Sequence, residues 1–484
     1  FHVSIDVFKL ASYLEEHYLP SARWWPWKGV KQRIRVVSSS FSDNLVILLL
    51  ESSGSLFHLP LIRVNEIPES ISTRGFCVDN ECFVEAEYTP NYLTALRAIE
   101  KASIKAVGEA RVENLLVYRA KPITLESTNA VVEYETNAGL LVIKSYRKIP
   151  EVNIEVKLLE RLASSGYRNI PPVLGFTYYG NSPTGVIMGK VQGEADGGLP
   201  FYASLASYLQ GNKSSERIGL ASKLGVIIGE MHVVLNKNTQ DPFFGVEPVT
   251  DSDVSAWSKR VEKMMNTALS RLDDLLDTAG EDERAELEFW RDYAEKTGSL
   301  VVEDALSSLE KSRELYKGRI HQDLHLAQMI YTGDGSLDFV ITDFEGEPGR
   351  YGAERYMKEP LLRDVATMIR SFHYLSHAAL LNIMKLTPGR ASKLMLEKDP
   401  TLEWRTKHVV AMVYSYVARM LNTGLLSQDE RSVAKKVWFY LYPWIVERAV
   451  YEFFYESHYR PSWISIPLAG LLEASVYKSM RMPW

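Results

Sequence analysis

The sequence predicts an α+β protein, with strands gathered in roughly the first two hundred residues and helices filling most of the rest. Three observations lead there. Short apolar or alternating runs bounded by polar turns recur from about residue 34 to residue 190. From Phe201 onward helical spacing takes over almost everywhere. The 484 residues also exceed what one ordinary core organises, so two or three domains are expected.

Val7–Tyr18 reads as a short helix, with Phe8, Ala11 and Leu14 recurring on one face. Trp24, Trp25 and Trp27 follow within four residues, and rings of that size most often anchor a core; a sugar-stacking platform is the alternative. Strands with turns at Ser42–Asn44 and Ser52–Gly54 come next, and Ile47–Leu50 is the most apolar of them. Tyr92–Ile104 reads as an amphipathic helix. Glu126–Val131 and the residues after it read as strand, turn and strand. Gly139–Lys144 is an apolar run ending in a lysine, which is costly to bury without an anion. Eleven residues on, Glu155 lies in a helical stretch with Glu151 and Glu160 as neighbours of the same type. Strand-like Ile170–Gly175 and Gly185–Lys190 lead into a crossover, Val191–Gly198. Leu205–Gln210 and Ile218–Leu235 are helical, and His232 on the latter reads as a packing residue. Ser255–Lys296 should form long, charged helices with a break near Thr278–Gly280.

Composition narrows the class of function. Hydrophobic residues at 46% and charged residues at 24% are globular values, and a net charge of −6 offers no basic footprint for nucleic acid. No uninterrupted apolar run reaches about 18 residues, so no membrane span is expected. The opening Phe1–Asp6 has neither the basic nor the apolar region of a signal peptide, and a cytoplasmic location is expected. The two cysteines, Cys77 and Cys82, flank an Asp79–Asn80 turn. Two reduced thiols are the expectation in a cytosolic enzyme, a disulfide the alternative, and a zinc site would need two further ligands.

The stretch that carries chemistry runs from Arg319 to Gly349. It reads as an apolar strand, a polar loop containing Asp323 and Gln328, a short strand, a turn at Gly333–Gly335 and a second strand ending at Asp343. Two carboxylates at the ends of a hairpin can converge on one pocket. Phosphoryl transfer to a hydroxyl asks for this set: one Asp to take the hydroxyl proton, an amide and a second Asp to hold Mg²⁺.

The run His321–Gln328 (HQDLHLAQ) together with Asp343–Pro348 (DFEGEP) resembles the bacterial maltokinases, of the aminoglycoside-phosphotransferase-like group. Gln328 stands where protein kinases have Asn, and Glu345 where Asp-Phe-Gly would place its glycine; maltokinases share both departures. The resemblance extends from Arg23, in a segment like the family's Arg-Trp signature, to Pro467. It implies a bilobal protein-kinase-like fold: an N-terminal α/β cap over 1–90, an upper nucleotide-binding lobe over 91–195 and a mainly helical C-terminal lobe over 196–484. It implies an ATP- and Mg²⁺-dependent kinase acting on maltose at the anomeric hydroxyl, linked to glycogen or trehalose metabolism and so to a trehalose-converting enzyme. Kinases of glucosamine, of glucose or of aminoglycosides, and a nucleotide-binding pseudokinase, are the alternatives.

Residue by residue, the resemblance makes Asp323 the catalytic base and Gln328 and Asp343 the metal ligands. Lys144, paired with Glu155 in preference to Glu151 or Glu160, would clamp ATP phosphates covered by Ser127, Thr128 and Asn129. Asp364 resembles the helix aspartate that braces the catalytic loop, with capping of its own helix as the plainer role. Asp196, His325, Glu452, Tyr455, Glu456 and Arg460 are the acceptor-site candidates. Glu452 and Glu456 share a helix face at i, i+4.

Overall fold

The computed structural model describes residues 6–193, 195–333, 335 and 337–482. The start of the signal-peptide reading (Phe1–Ile5) and Asp334 of the expected turn lie outside the described residues. The chain divides into two compact units, Phe1–Gln192 and Gly193–Trp484.

The first unit holds two antiparallel sheets. In one, Arg35–Ser42, Leu45–Ser52, Ser55–Val64, Glu81–Glu85 and Gly75–Val78 lie side by side in that order, and Lys148–Ile149 adds to Ser55–Val64. In the other the order is Ala102–Ala106, Val173–Tyr179, Ser182–Gly189, Gly139–Ser145, Ala130–Thr136 and Val117–Thr124. Leu45, Ile62 and Val84 of the first sheet share one core with Val132, Tyr134 and Ile143 of the second. Trp24 and Trp25 are buried beside Phe57, and Trp24 Nε1 donates to Glu85 Oε1 at 2.6 Å. Burial of two of the three rings gives them the anchoring role.

Two expectations need correcting here. The helix at Tyr92 ends at Arg97, and Ala102–Ala106 is a strand. Ala102 and Ile104 face inward while Ser103 and Lys105 face out, so the period is two and pairing with Val173–Tyr179 outweighs the local helical spacing. The cysteines are not reduced thiols: Cys77 and Cys82 form a disulfide, with Cα atoms 4.0 Å apart. Asp79 and Asn80 take φ of +49° and +64°, a two-residue turn of the primed kind, which sets Cys77 directly opposite Cys82 across the hairpin.

The second unit is helical around two three-stranded sheets. Asp251–Thr278 and Glu281–Tyr293 form the charged helices, broken at Ala279–Gly280 as expected. The segment Lys213–Asn236 is apolar enough, by length and composition, to cross a membrane. Yet 56% of its apolar window is buried inside the protein, where Ile218–Asn236 packs on Leu402–Met420. The α+β class expected from the sequence is the class observed.

Candidate active site

The catalytic-loop candidate is fixed by its backbone. Asp364, fully buried near the start of the helix Leu362–Ile383, accepts the N–H of His321 at 2.8 Å and that of Gln322 at 3.0 Å. Its side chain makes no cap on its own helix, so the bracing role expected for it is the one its geometry serves. His232 Nε2 lies 2.9 Å from Asp364 and Nδ1 lies 2.7 Å from the Tyr416 hydroxyl, so this histidine packs and orients the brace. Gln322 is held at φ +77° and Asp343 at φ +56°, left-handed conformations that a side-chain-bearing residue rarely adopts; such strain concentrates at functional sites.

Met329–Gly333 pairs with Asp338–Ile341, and Thr342 N donates to Gln328 O at 2.8 Å, which places Asp343 beside Gln328. Gln328 Nε2 donates to Asp343 Oδ2 at 3.1 Å. An amide oxygen and a carboxylate are hard oxygen donors of the type Mg²⁺ takes alongside phosphates and water. Among the described residues no cluster of three or more His, Cys, Asp or Glu forms a metal site of its own. The Gln328 and Asp343 side chains offer donors of that type and are the residues that could hold such an ion.

Asp323 lies in the wall of a cavity of about 560 Å³ within the second unit. Asp196, His325, Gln328, Glu452, Tyr455, Glu456 and Arg460 line the same cavity, so every expected acceptor residue converges there. Gly197, between Asp196 and Gly198 of the lining, lets the chain run close to the loop: a Cβ there would sit 2.8 Å from Leu326 O. Burial alone would raise the pKa of Asp323, but the Arg448 charge and nearby His325 more than reverse this and hold it well below the usual carboxylate range. Glu452 accepts both Nε and Nη2 of Arg370, at 2.9 and 2.7 Å. Glu456 pairs with Arg460 and accepts Tyr374 Oη at 3.3 Å; burial raises its pKa, with Arg460 opposing.

In the first unit Lys144 Nζ meets Glu155 Oε1 at 2.8 Å, and Tyr146 Oη donates to the same oxygen at 2.7 Å. Asn153 caps this helix through Val156 N, which places Glu155 in its first turn. Of the alternatives, Glu160 pairs with Lys105 instead. Ser127, Thr128 and Asn129 form the bend between Val117–Thr124 and Ala130–Thr136. Beneath it the buried Arg74 donates to the carbonyls of Leu125 and Ser127, both at 2.8 Å.

Sequence reading passed over Arg448, Glu347, Arg363, Arg370 and Arg74. Arg363 Nη1 donates to Gln322 O at 2.7 Å and Nη2 to Glu347 Oε1 at 2.8 Å. Arg448 had a usable signal: it precedes Glu452 and Glu456 by four and eight residues, on one helical stripe. Arg74 had none, because it meets its loop only through the fold.

No protein-family model matches the chain. A curated relative, a glucosamine kinase of Streptacidiphilus jiangxiensis, is 22% identical over 257 residues, which is 52% of this chain and 48% of that one. The match thus spans about half the length of that relative. A solved glucosamine kinase, in complex with glucosamine, ADP and inorganic phosphate, superposes with a TM-score of 0.65 at 16% identity, covering 96% of this chain and 98% of that one. Crystal form B of a glucosamine kinase gives 0.68 at 17% identity, over 96% and 99% of the two chains. The chain has the fold of these kinases, a protein-kinase-like α+β fold. At such identities the likeness speaks for the fold alone.

Proposed function

We propose that this protein is an ATP- and Mg²⁺-dependent sugar kinase, and that its acceptor is an amino sugar of the glucosamine kind. The observation that carries the reading is Asp323 in a carboxylate- and ring-lined cavity, on the same loop as Gln328, whose amide meets Asp343 across the hairpin. Asp323 orients an acceptor hydroxyl and takes its proton. The hydroxyl oxygen bonds to the γ-phosphorus, the bond from that phosphorus to the β-phosphate oxygen breaks, and ADP leaves. Mg²⁺, when bound at Gln328 and Asp343, neutralises phosphate charge. In the first unit we assign Lys144, held by Glu155, to the α- and β-phosphates, and the Ser127–Asn129 bend to covering them.

An amino sugar is favoured by Asp196 in the cavity lining, which has no arginine partner among the described residues, whereas Asp323, Glu452 and Glu456 are matched by Arg448, Arg370 and Arg460. The glucosamine kinases reported above agree with it. Maltose, phosphorylated at its anomeric hydroxyl, is the second reading. It is supported by the His321–Gln328 and Asp343–Pro348 motifs and by a cavity within the range that takes ligands larger than one ring.

An ADP-release assay with Mg-ATP against glucosamine, maltose, glucose, trehalose and an aminoglycoside tests this. Turnover confined to glucosamine supports the proposal, and turnover on maltose alone replaces the acceptor. ATP binding without turnover on any of them points to a pseudokinase.

A further inference from the structure

Arg448 lies on the helix Val437–Tyr459, and its side chain is only 8% exposed. Its guanidinium divides between two anions: Nη2 donates to Asp323 Oδ1 and Nη1 to Glu347 Oε1, both at 2.8 Å. Its Nε stands 3.6 Å from Glu452 Oε1, and its Cζ lies 4.7 Å from the centroid of the Tyr451 ring. Glu347 is itself fixed by Arg350 Nε at 2.9 Å and Arg363 Nη2 at 2.8 Å. Arg363 in turn donates to the carbonyl of Gln322, the residue before Asp323. The other oxygen of Asp323, Oδ2, has His325 Nε2 at 3.7 Å, beyond hydrogen-bond length.

We propose that Arg448 is the positioning residue of the reaction, occupying Asp323 Oδ1 so that Oδ2 is the oxygen presented to the acceptor hydroxyl. This rests on the kinase reading above. A free carboxylate exchanges its two oxygens by rotation about χ2. A planar fork whose second arm is tied to Glu347, and through it to Arg350 and Arg363, cannot follow that rotation. A lysine would supply charge at this point but no fork.

The groups facing Asp323 are His325 from its own loop and Arg448 from the helix; Glu347, Glu452 and Tyr451 face Arg448 in turn. Without Arg448, burial and the two glutamates would all act against the charged form of Asp323. The acid limb of activity would then move to higher pH.

The test uses the full chain carrying Arg448→Met or Arg448→Lys, each alone and combined with Asp323→Asn. Thermal unfolding needs no substrate. In the Arg448→Met background, Asp323→Asn should change the midpoint more favourably than in the unmodified chain, by at least about 3 °C, because the amide removes a buried charge left unneutralised. Equal changes in both backgrounds would overturn the proposal. Arg448→Lys keeps the charge and folds if Arg448→Met does not. It should lower kcat about tenfold or more, with the KM for ATP within about twofold and the acid limb in place. Arg448→Met should lower kcat by about 10²-fold and move the limb of kcat/KM to higher pH. A uniform loss at every pH with additive midpoints would mean that Arg448 serves packing only. Failure of the unmodified chain to phosphorylate any acceptor would remove the kinase reading, while the midpoints still decide the Arg448–Asp323 coupling.

Discussion

At the scale of single residues, the site depends on charges that are buried and matched. Arg260, Arg350, Arg363 and Arg448 interlock with Asp323, Glu347, Glu359 and Glu447, so removing one group leaves its partners buried with less compensating charge. Asp323→Asn should lower kcat by about 10²- to 10⁴-fold while ATP still binds. Calorimetric ATP titration of the inactive variant checks the second half, and near-normal turnover would end the assignment of Asp323. The residues proposed for phosphate transfer were legible as a group in the sequence, since Asp323, Gln328 and Asp343 lie on one short hairpin whose spacing survives folding. Arg448 comes to Asp323 from 125 residues away along the chain, and no local pattern encodes that meeting.

At the scale of elements, helix contacts are set by how closely backbones approach. Gly225, on Ile218–Asn236, packs so tightly on Leu402–Met420 that an added Cβ would stand 2.1 Å from Met412 O and 2.2 Å from Ser415 Oγ. Alanine is the better helix former by about 1 kcal/mol, yet the obstructing atom is a backbone carbonyl that cannot rotate away. Gly225→Ala should therefore destabilise the protein by about 1–3 kcal/mol, read as a lower urea midpoint at unchanged slope. The same helix carries His232, so this packing also sets the brace on the loop that carries Asp323. Helix and strand positions were readable wherever one periodicity was unambiguous, as in the charged helices. They were misread at Ala102–Ala106, where a short segment suits either period and its sheet partner decides.

At the scale of the whole molecule, buried neutral histidines set the acid limit. His408 is held neutral: burial, foremost, lowers its pKa to about 4. Its Nδ1 lies 2.6 Å from Trp404 O, and its Nε2 accepts Arg217 N at 2.9 Å, a bond that protonation would destroy. With the folded pKa below the unfolded value near 6.5, its contribution is full above about pH 6.5 and is lost as pH falls toward about 4. Midpoints of unfolding measured from pH 7 to pH 4 should fall through that window. The fall should be smaller in His408→Gln, whose amide can serve both partners without titrating.

The sequence by itself determined the α+β class, the alternation of elements and the hairpin that carries Asp323, Gln328 and Asp343, because these depend on short-range periodicity and on spacing within one hairpin. It also placed Glu452 and Glu456 on one helical face. Only the tertiary structure decided that Cys77 and Cys82 are bonded, that Lys144 takes Glu155, and that Arg448 joins Asp323 to Glu347. Those are choices among partners that local sequence leaves open. The disulfide follows from the hairpin register, and the two ion-pair choices from which groups meet out of water, where an unpaired charge costs several kcal/mol more than a paired one.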